Sequence, residues 1–401
     1  MYRIDEDNRK EKYILLLPAT LDDHFPLLKY MFWSKEYRVE ILDNTEGIID
    51  VGLRYANNDM CYPFIIMVGQ IIQSLKSGKY DIKNTRILIP TAGDACRGAC
   101  YIGLISKALK KAGFEECKVV TLNVRHVEED INMKISLDMA MRGLYSMFYG
   151  DILMMLSNQT RVYELESDET LQLKEKWNNI ISEDLKRGKH LSFHWMKKNM
   201  DKMCAEFASV EQSKSSKQRI LIAGEFYTKY CGLGNWDVAK YMEDRGCEVY
   251  VNGLSWYALY YIDTHIPENN GIEKYAFLAV RRILLKYQNY MIDTIRKYGF
   301  YSMDNIDIIK SYSTQYVSSN LKTGDGWLMG AEIIGGITSG INKILCVAPF
   351  GCMPNACSGR GLYPYLQRCF PQAYITGVET DASASKQNYY NRVEMLIHAK
   401  K

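Results

Sequence analysis

Three of the eleven cysteines sit where thiol chemistry has a use. Cys61 lies in Asp-Met-Cys-Tyr-Pro. Cys96 follows Ile87-Leu-Ile-Pro90, in Thr-Ala-Gly-Asp-Ala-Cys-Arg-Gly-Ala-Cys. Cys352 follows Ile344-Leu-Cys-Val-Ala-Pro349, in Phe-Gly-Cys-Met-Pro-Asn-Ala-Cys. The latter two come just after short apolar runs closed by proline, the pattern of buried strands ending in loops. Ligands in open α/β sheets collect beyond the carboxyl ends of the strands. Thiolates delivered there from distant parts of a chain are the donor set of an iron–sulfur cluster.

Other chemistries leave no trace. There is no Cys-x-x-Cys zinc pair and no His-Glu-x-x-His, and the chain holds only six histidines. Nucleophile elbows and phosphate-binding Walker loops are also missing. Eleven cysteines in an intracellular chain do not form a disulfide framework, because the cytosol keeps thiols reduced. The formal charge of +3 over 401 residues, with no basic tract, argues against nucleic acid as a partner. No apolar run approaches a membrane span, and residues 1–10 lack a signal-peptide core, so a cytoplasmic protein is expected.

The elements that must position the thiols follow a strand–loop–helix rhythm. Tyr13–Leu17 reads as a strand ending at Pro18, followed by a periodic apolar stretch through Phe25, Leu28, Met31 and Phe32. Arg86–Ile89 ends at Pro90 and leads through the Cys96 loop into a helix over Ile102–Leu109; this stops near Gly113, and Lys118–Leu122 is the next strand. A second copy begins at Arg219–Ile222, passes Gly224–Cys231 and a helix ending near Gly246, and returns as Glu248–Val251. A third begins at Ile344. Residues 130–210 and 270–312 have helical spacing, and their Met stripe reads as core. The polar run Glu211–Gln218 is the linker expected between an N-terminal α/β domain, 1–210, and a C-terminal one, 219–401. Each is expected to be a Rossmann- or flavodoxin-like half with a parallel sheet and helical insertions, the site lying in the cleft between them.

Several ordered motifs resemble the 2-hydroxyacyl-CoA dehydratase/benzoyl-CoA reductase superfamily, and more narrowly its acyl-CoA dehydratase activase-related branch. They are Met60-Cys-Tyr-Pro63 with Gly69, Cys96-Arg with Tyr101, and Tyr149-Gly-Asp-Ile-Leu153 followed by Arg161-Val-Tyr-Glu164. Gly224-Glu-Phe-Tyr with Asn235, Gly326-Trp-Leu with Glu332, Pro349-Phe-Gly-Cys-Met-Pro-Asn355 and Asp381–Arg392 complete the set. The likeness runs nearly end to end, without the activase domain itself. It implies a [4Fe-4S] cluster on Cys61, Cys96 and Cys352 that takes low-potential electrons from a separate ATP-hydrolysing activase. Cys100, Cys231 and Cys357 lie beside the same motifs, and six thiols would suit the double-cubane [8Fe-9S] cluster found in some members.

The other cysteines have plainer roles. Cys117 and Cys247 sit at helix-to-strand transitions, Cys346 inside a strand, and Cys204 and Cys369 on helical faces, all as small hydrophobes. Glycines 93, 98, 351, 359 and 361 would let backbone approach a cluster or simply form turns; Gly98 and Gly351 are the chosen cluster neighbours. Arg97 would offset thiolate charge or pair at the surface. Glu225, Glu332, Glu379 and Asp381 are the carboxylates near motifs, but such groups more often cap helices or pair with Lys and Arg, and no catalytic residue is assigned. The expected function is oxygen-sensitive reduction of a small molecule. The alternatives are a dehydratase-type subunit with one [4Fe-4S] cluster and a non-catalytic electron carrier. Oligomeric state stays open, a homodimer included.

Overall fold

The computed structural model describes residues 3–4, 11–57, 59–89, 96–121, 133, 135–266 and 271–399. Pro90, Gly93 and Leu122 of the sequence reading lie outside these residues. The described strands form two four-stranded sheets, parallel throughout, with helices on their faces. In the first sheet β1 (Tyr13–Leu17), β2 (Tyr37–Ile41), β3 (Thr85–Leu88) and β4 (Lys118–Val120) run in the order β2-β1-β3-β4. The second repeats the plan as β6-β5-β7-β8, from β5 (Gln218–Gly224), β6 (Cys247–Val251), β7 (Lys343–Pro349) and β8 (Tyr374–Thr380). The α/β class with two flavodoxin-like sheets is the one expected.

The central strands explain themselves. A parallel strand covered by helices on both faces is apolar without alternation, and Leu15, Leu16, Ile220, Leu221, Ile344 and Leu345 are essentially inaccessible. Such strands must end in loops at one edge of the sheet. The segments after β2, β3, β5 and β7 carry Cys61, Cys96, Glu225 with Cys231, and Cys352.

One helix ties the halves together. Leu137–Thr160 is buried on nearly every face, packing on helix Phe25–Phe32 of the first half and on β6 of the second. From it Asp151, wholly buried, reaches the start of helix Leu254–His265 and accepts the backbone N–H groups of Leu254 at 2.5 Å and Ser255 at 2.9 Å. Its Oδ1 also meets His24 Nε2 at 2.8 Å. The carboxylate therefore caps a helix 103 positions away in sequence. Gly150 and Gly253 make room: a Cβ at Gly150 would lie 2.4 Å from the His24 ring, and one at Gly253 would lie 2.5 Å from the Asp151 carboxyl carbon. No described helix is long and apolar enough to cross a membrane.

Candidate functional site

The C-terminal ends of both sheets face one cavity of about 570 Å³. Cys61, Cys96 and Cys352 all line it, although 291 positions separate the first from the last. Each holds the residue position just before a helical turn: Cys61 precedes helix Tyr62–Lys76, Cys96 the 3₁₀ turn Arg97–Cys100, and Cys352 the short helix Met353–Asn355. Backbone N–H groups are unpaired within a helix over its first turn, and among the three thiols the Cys96 sulfur accepts one of them.

The immediate partners are specific. The Cys61 sulfur and the Tyr101 hydroxyl lie 2.8 Å apart, and the Gly98 N–H donates to the Cys96 sulfur at 3.3 Å. Burial pushes the Cys61 thiol up, with Tyr101 and, more weakly, Arg97 acting against that rise. Cys352 is raised more strongly by burial, with Glu225 adding repulsion. Arg97 is exposed and donates to the Asp59 carbonyl, two residues before Cys61. Gly351, beside Cys352, has φ +66°, and a Cβ there would come within 4.0 Å of the Arg97 guanidinium. Arg97 thus ties its own loop to the one before Cys61 and lies near Gly351.

The other three motif cysteines are placed differently. Among the described residues, Cys100, Cys231 and Cys357 are not part of the cavity lining. Cys100 and Cys357 are exposed. The turn between Cys96 and Cys100 is 3₁₀, with three residues per turn, so four positions do not return to the same side as they would in an α-helix. Cys231 is wholly buried; its thiol is pushed up to about 12 by burial and donates to the Ala19 carbonyl at 3.7 Å. Gly359 is packed against Asn355, Met329 and Tyr363, where a Cβ would meet their atoms within 3 Å, and Gly361 lies against the Ala356 and Cys357 carbonyls.

The motif carboxylates mostly cap and pair. Glu225 accepts the N–H groups of Tyr227 and Thr228 at 3.1 and 2.9 Å at the start of helix Phe226–Tyr230. Glu332 holds Lys229 at 2.9 and 3.1 Å and receives Asn252 at 3.1 Å, entirely out of solvent. Glu379 pairs with Arg360 at 2.7 Å, and Asp381 accepts the Ser383 hydroxyl at 2.7 Å. Glu225 nevertheless also lines the cavity beside Asp325. Burial raises both, and Asp325, further repelled by Glu225 and Glu332, is pushed up to about 8 against the pull of Lys229.

Two parts of the site were not singled out from the sequence. Asp325 gave no signal, because the groups that perturb it come from distant positions. Helix Leu254–His265 supplies Leu254, Tyr257, Ala258, Tyr261 and Ile262 to the cavity wall; a run of Tyr, Leu and Ile is indistinguishable from core until the space beside it is seen. No known family model and no curated protein sequence matches this chain.

Proposed function

We propose that Cys61, Cys96 and Cys352 hold an iron–sulfur cluster in the cavity, and that it takes low-potential electrons from an ATP-dependent activase and delivers them to a small molecule bound alongside. The observation that carries this reading is that three thiols, from both halves, line one cavity. The donor set fits the group: thiolates are the soft ligands that iron–sulfur clusters take. Among the described residues no three His, Cys, Asp or Glu side chains close on one point as the ligands of a single ion would. A cluster spreads its ligands over several atoms and does not require that.

The cluster would supply electrons; the chain's own residues hold and surround it. Tyr101 and the Gly98 N–H would hydrogen-bond ligand sulfurs, which tunes potential. Arg97 would place positive charge at the mouth. A cavity that extends well past the thiols favours an enzyme over a simple relay, which would need no such space. None of the eleven cysteines is joined in a disulfide, which leaves all of them available as ligands. The resemblance to the dehydratase and benzoyl-CoA reductase superfamily supplies the electron donor in this reading.

Anaerobic purification with iron and sulfide counting tests it. About four irons per chain, lost in Cys61→Ala, Cys96→Ala and Cys352→Ala but kept in Cys100→Ala, Cys231→Ala and Cys357→Ala, is the expected result. About eight irons, lost in all six variants, would replace the single cubane with a six-thiol double cubane. Iron-free protein under strict anaerobiosis would remove the reading altogether.

A further inference from the structure

We infer that the cavity receives an uncharged, mostly apolar molecule, and excludes phosphate- and carboxylate-bearing ones such as coenzyme A thioesters. This rests on the proposed function in that it names the class of molecule the cluster would serve. The walls facing the thiols come from both halves: Leu28 and Met31 from helix Phe25–Phe32, and Tyr257, Ala258, Tyr261 and Ile262 from helix Leu254–His265. Among the described residues the charged side chains of the lining are Arg97, Glu225 and Asp325.

Their arrangement decides the sign of the ligand. Arg97 is at the exposed mouth, with its guanidinium already donating to the Asp59 carbonyl. The other two ionisable side chains of the described lining, Glu225 and Asp325, are both acids, and Lys229, a buried cation paired with Glu332, is not part of the lining. An anion moved inside would leave water, meet two acidic side chains and find no cation other than Arg97 among the described lining residues, which is unfavourable. An apolar molecule gains from leaving water and meets a matching wall. The space of about 570 Å³ lies within the range of about 300–1,000 Å³ usual for pockets that enclose drug-sized ligands.

The test uses two fluorophores of nearly identical shape on the anaerobically purified full chain, with iron counted on the same sample. N-phenyl-1-naphthylamine is uncharged; 1-anilinonaphthalene-8-sulfonate carries a sulfonate. The neutral probe is expected to bind at least ten-fold more tightly, to be lost on Ala258→Trp and on Leu28→Trp, which fill the space from opposite halves, and to resist displacement by butyryl-CoA. Thermal melting of both variants reports whether they fold, and one folded variant suffices. Equal or tighter binding of the sulfonate, displacement by butyryl-CoA, or unchanged neutral-probe binding in a folded variant would overturn the inference. Iron content reports separately on the cluster, so neutral binding without iron sinks only the cluster reading, and iron without neutral binding sinks only this one.

Discussion

The Tyr101 hydroxyl lies 2.8 Å from the Cys61 sulfur, and both are buried at the cavity. The Phe64 ring, 5.0 Å from that of Tyr101 between centroids, holds the phenol in place independently of the hydrogen bond. Tyr101→Phe should therefore keep the ring and lose only the bond. With the proposed cluster on Cys61, a hydrogen bond to its sulfur would raise the potential, and one bond of about 1 kcal/mol corresponds to roughly 40 mV for one electron. A redox titration should find the variant lower by about that amount; an unchanged potential would mean the hydroxyl is only packing.

Lys229 and Glu332 form an ion pair with 2% and 1% of their side chains exposed. Removing one member of a buried pair strands the other's charge, at a cost of about 3–5 kcal/mol. Lys229→Met should lose that much in urea unfolding, and Lys229→Met combined with Glu332→Leu should recover most of it. Additive losses in the double variant would show that the pair is not coupled.

Glu243 faces Arg161 at 3.2 Å, yet burial outweighs that attraction and pushes its carboxyl from 4.5 up to about 7. A carboxyl raised on folding favours the folded state while protonated. Its contribution is complete below about 4.5 and is lost as pH rises through about 7. The urea midpoint of the parent should fall between about pH 5 and pH 8 more than that of Glu243→Gln, with everything else in common. Parallel pH profiles would contradict the shift.

Helices Ile48–Tyr55 and Tyr62–Lys76 cross backbone to backbone at Gly52 and Gly69. A Cβ at Gly69 would lie 1.9 Å from the Ile48 carbonyl oxygen, and one at Gly52 would lie 2.2 Å from that of Ile65. Gly69→Ala should cost about 2–3 kcal/mol by forcing the helices apart, and with them the anchor of Cys61. Gly103, inside helix Tyr101–Lys111, has nothing within 4 Å of its would-be Cβ. There the same change should gain about 0.5–1 kcal/mol. Equal effects at the two positions would refute the crossing.

What the sequence made legible follows from burial. β1, β3, β5 and β7 are covered on both faces and read as unbroken apolar runs. β2, Tyr-Arg-Val-Glu-Ile, and β8, Tyr-Ile-Thr-Gly-Val-Glu-Thr, lie at sheet edges, half exposed, and their mixed composition hid them. The expectation that Glu225, Glu332 and Glu379 cap or pair agrees with their hydrogen bonds. The placement of Cys61, Cys96 and Cys352 ahead of helical turns was not legible, because cysteine is not among the residues that announce a helix start. Motif glycines told of close approach without saying to what: Gly150 serves His24, and Gly69 serves Ile48.

The Asp151 contacts also resist one way of parting the two halves. Hinging the two sheets apart like covers of a book would pull Leu254 and Ser255 off a buried carboxylate and leave it facing His24 alone, in a place water does not reach. That contact is a rivet between helix Leu137–Thr160 and helix Leu254–His265. Elsewhere on the lining Arg97 is exposed, and Phe350 and Met353, on either side of Cys352 in the chain, stand 62% and 43% exposed.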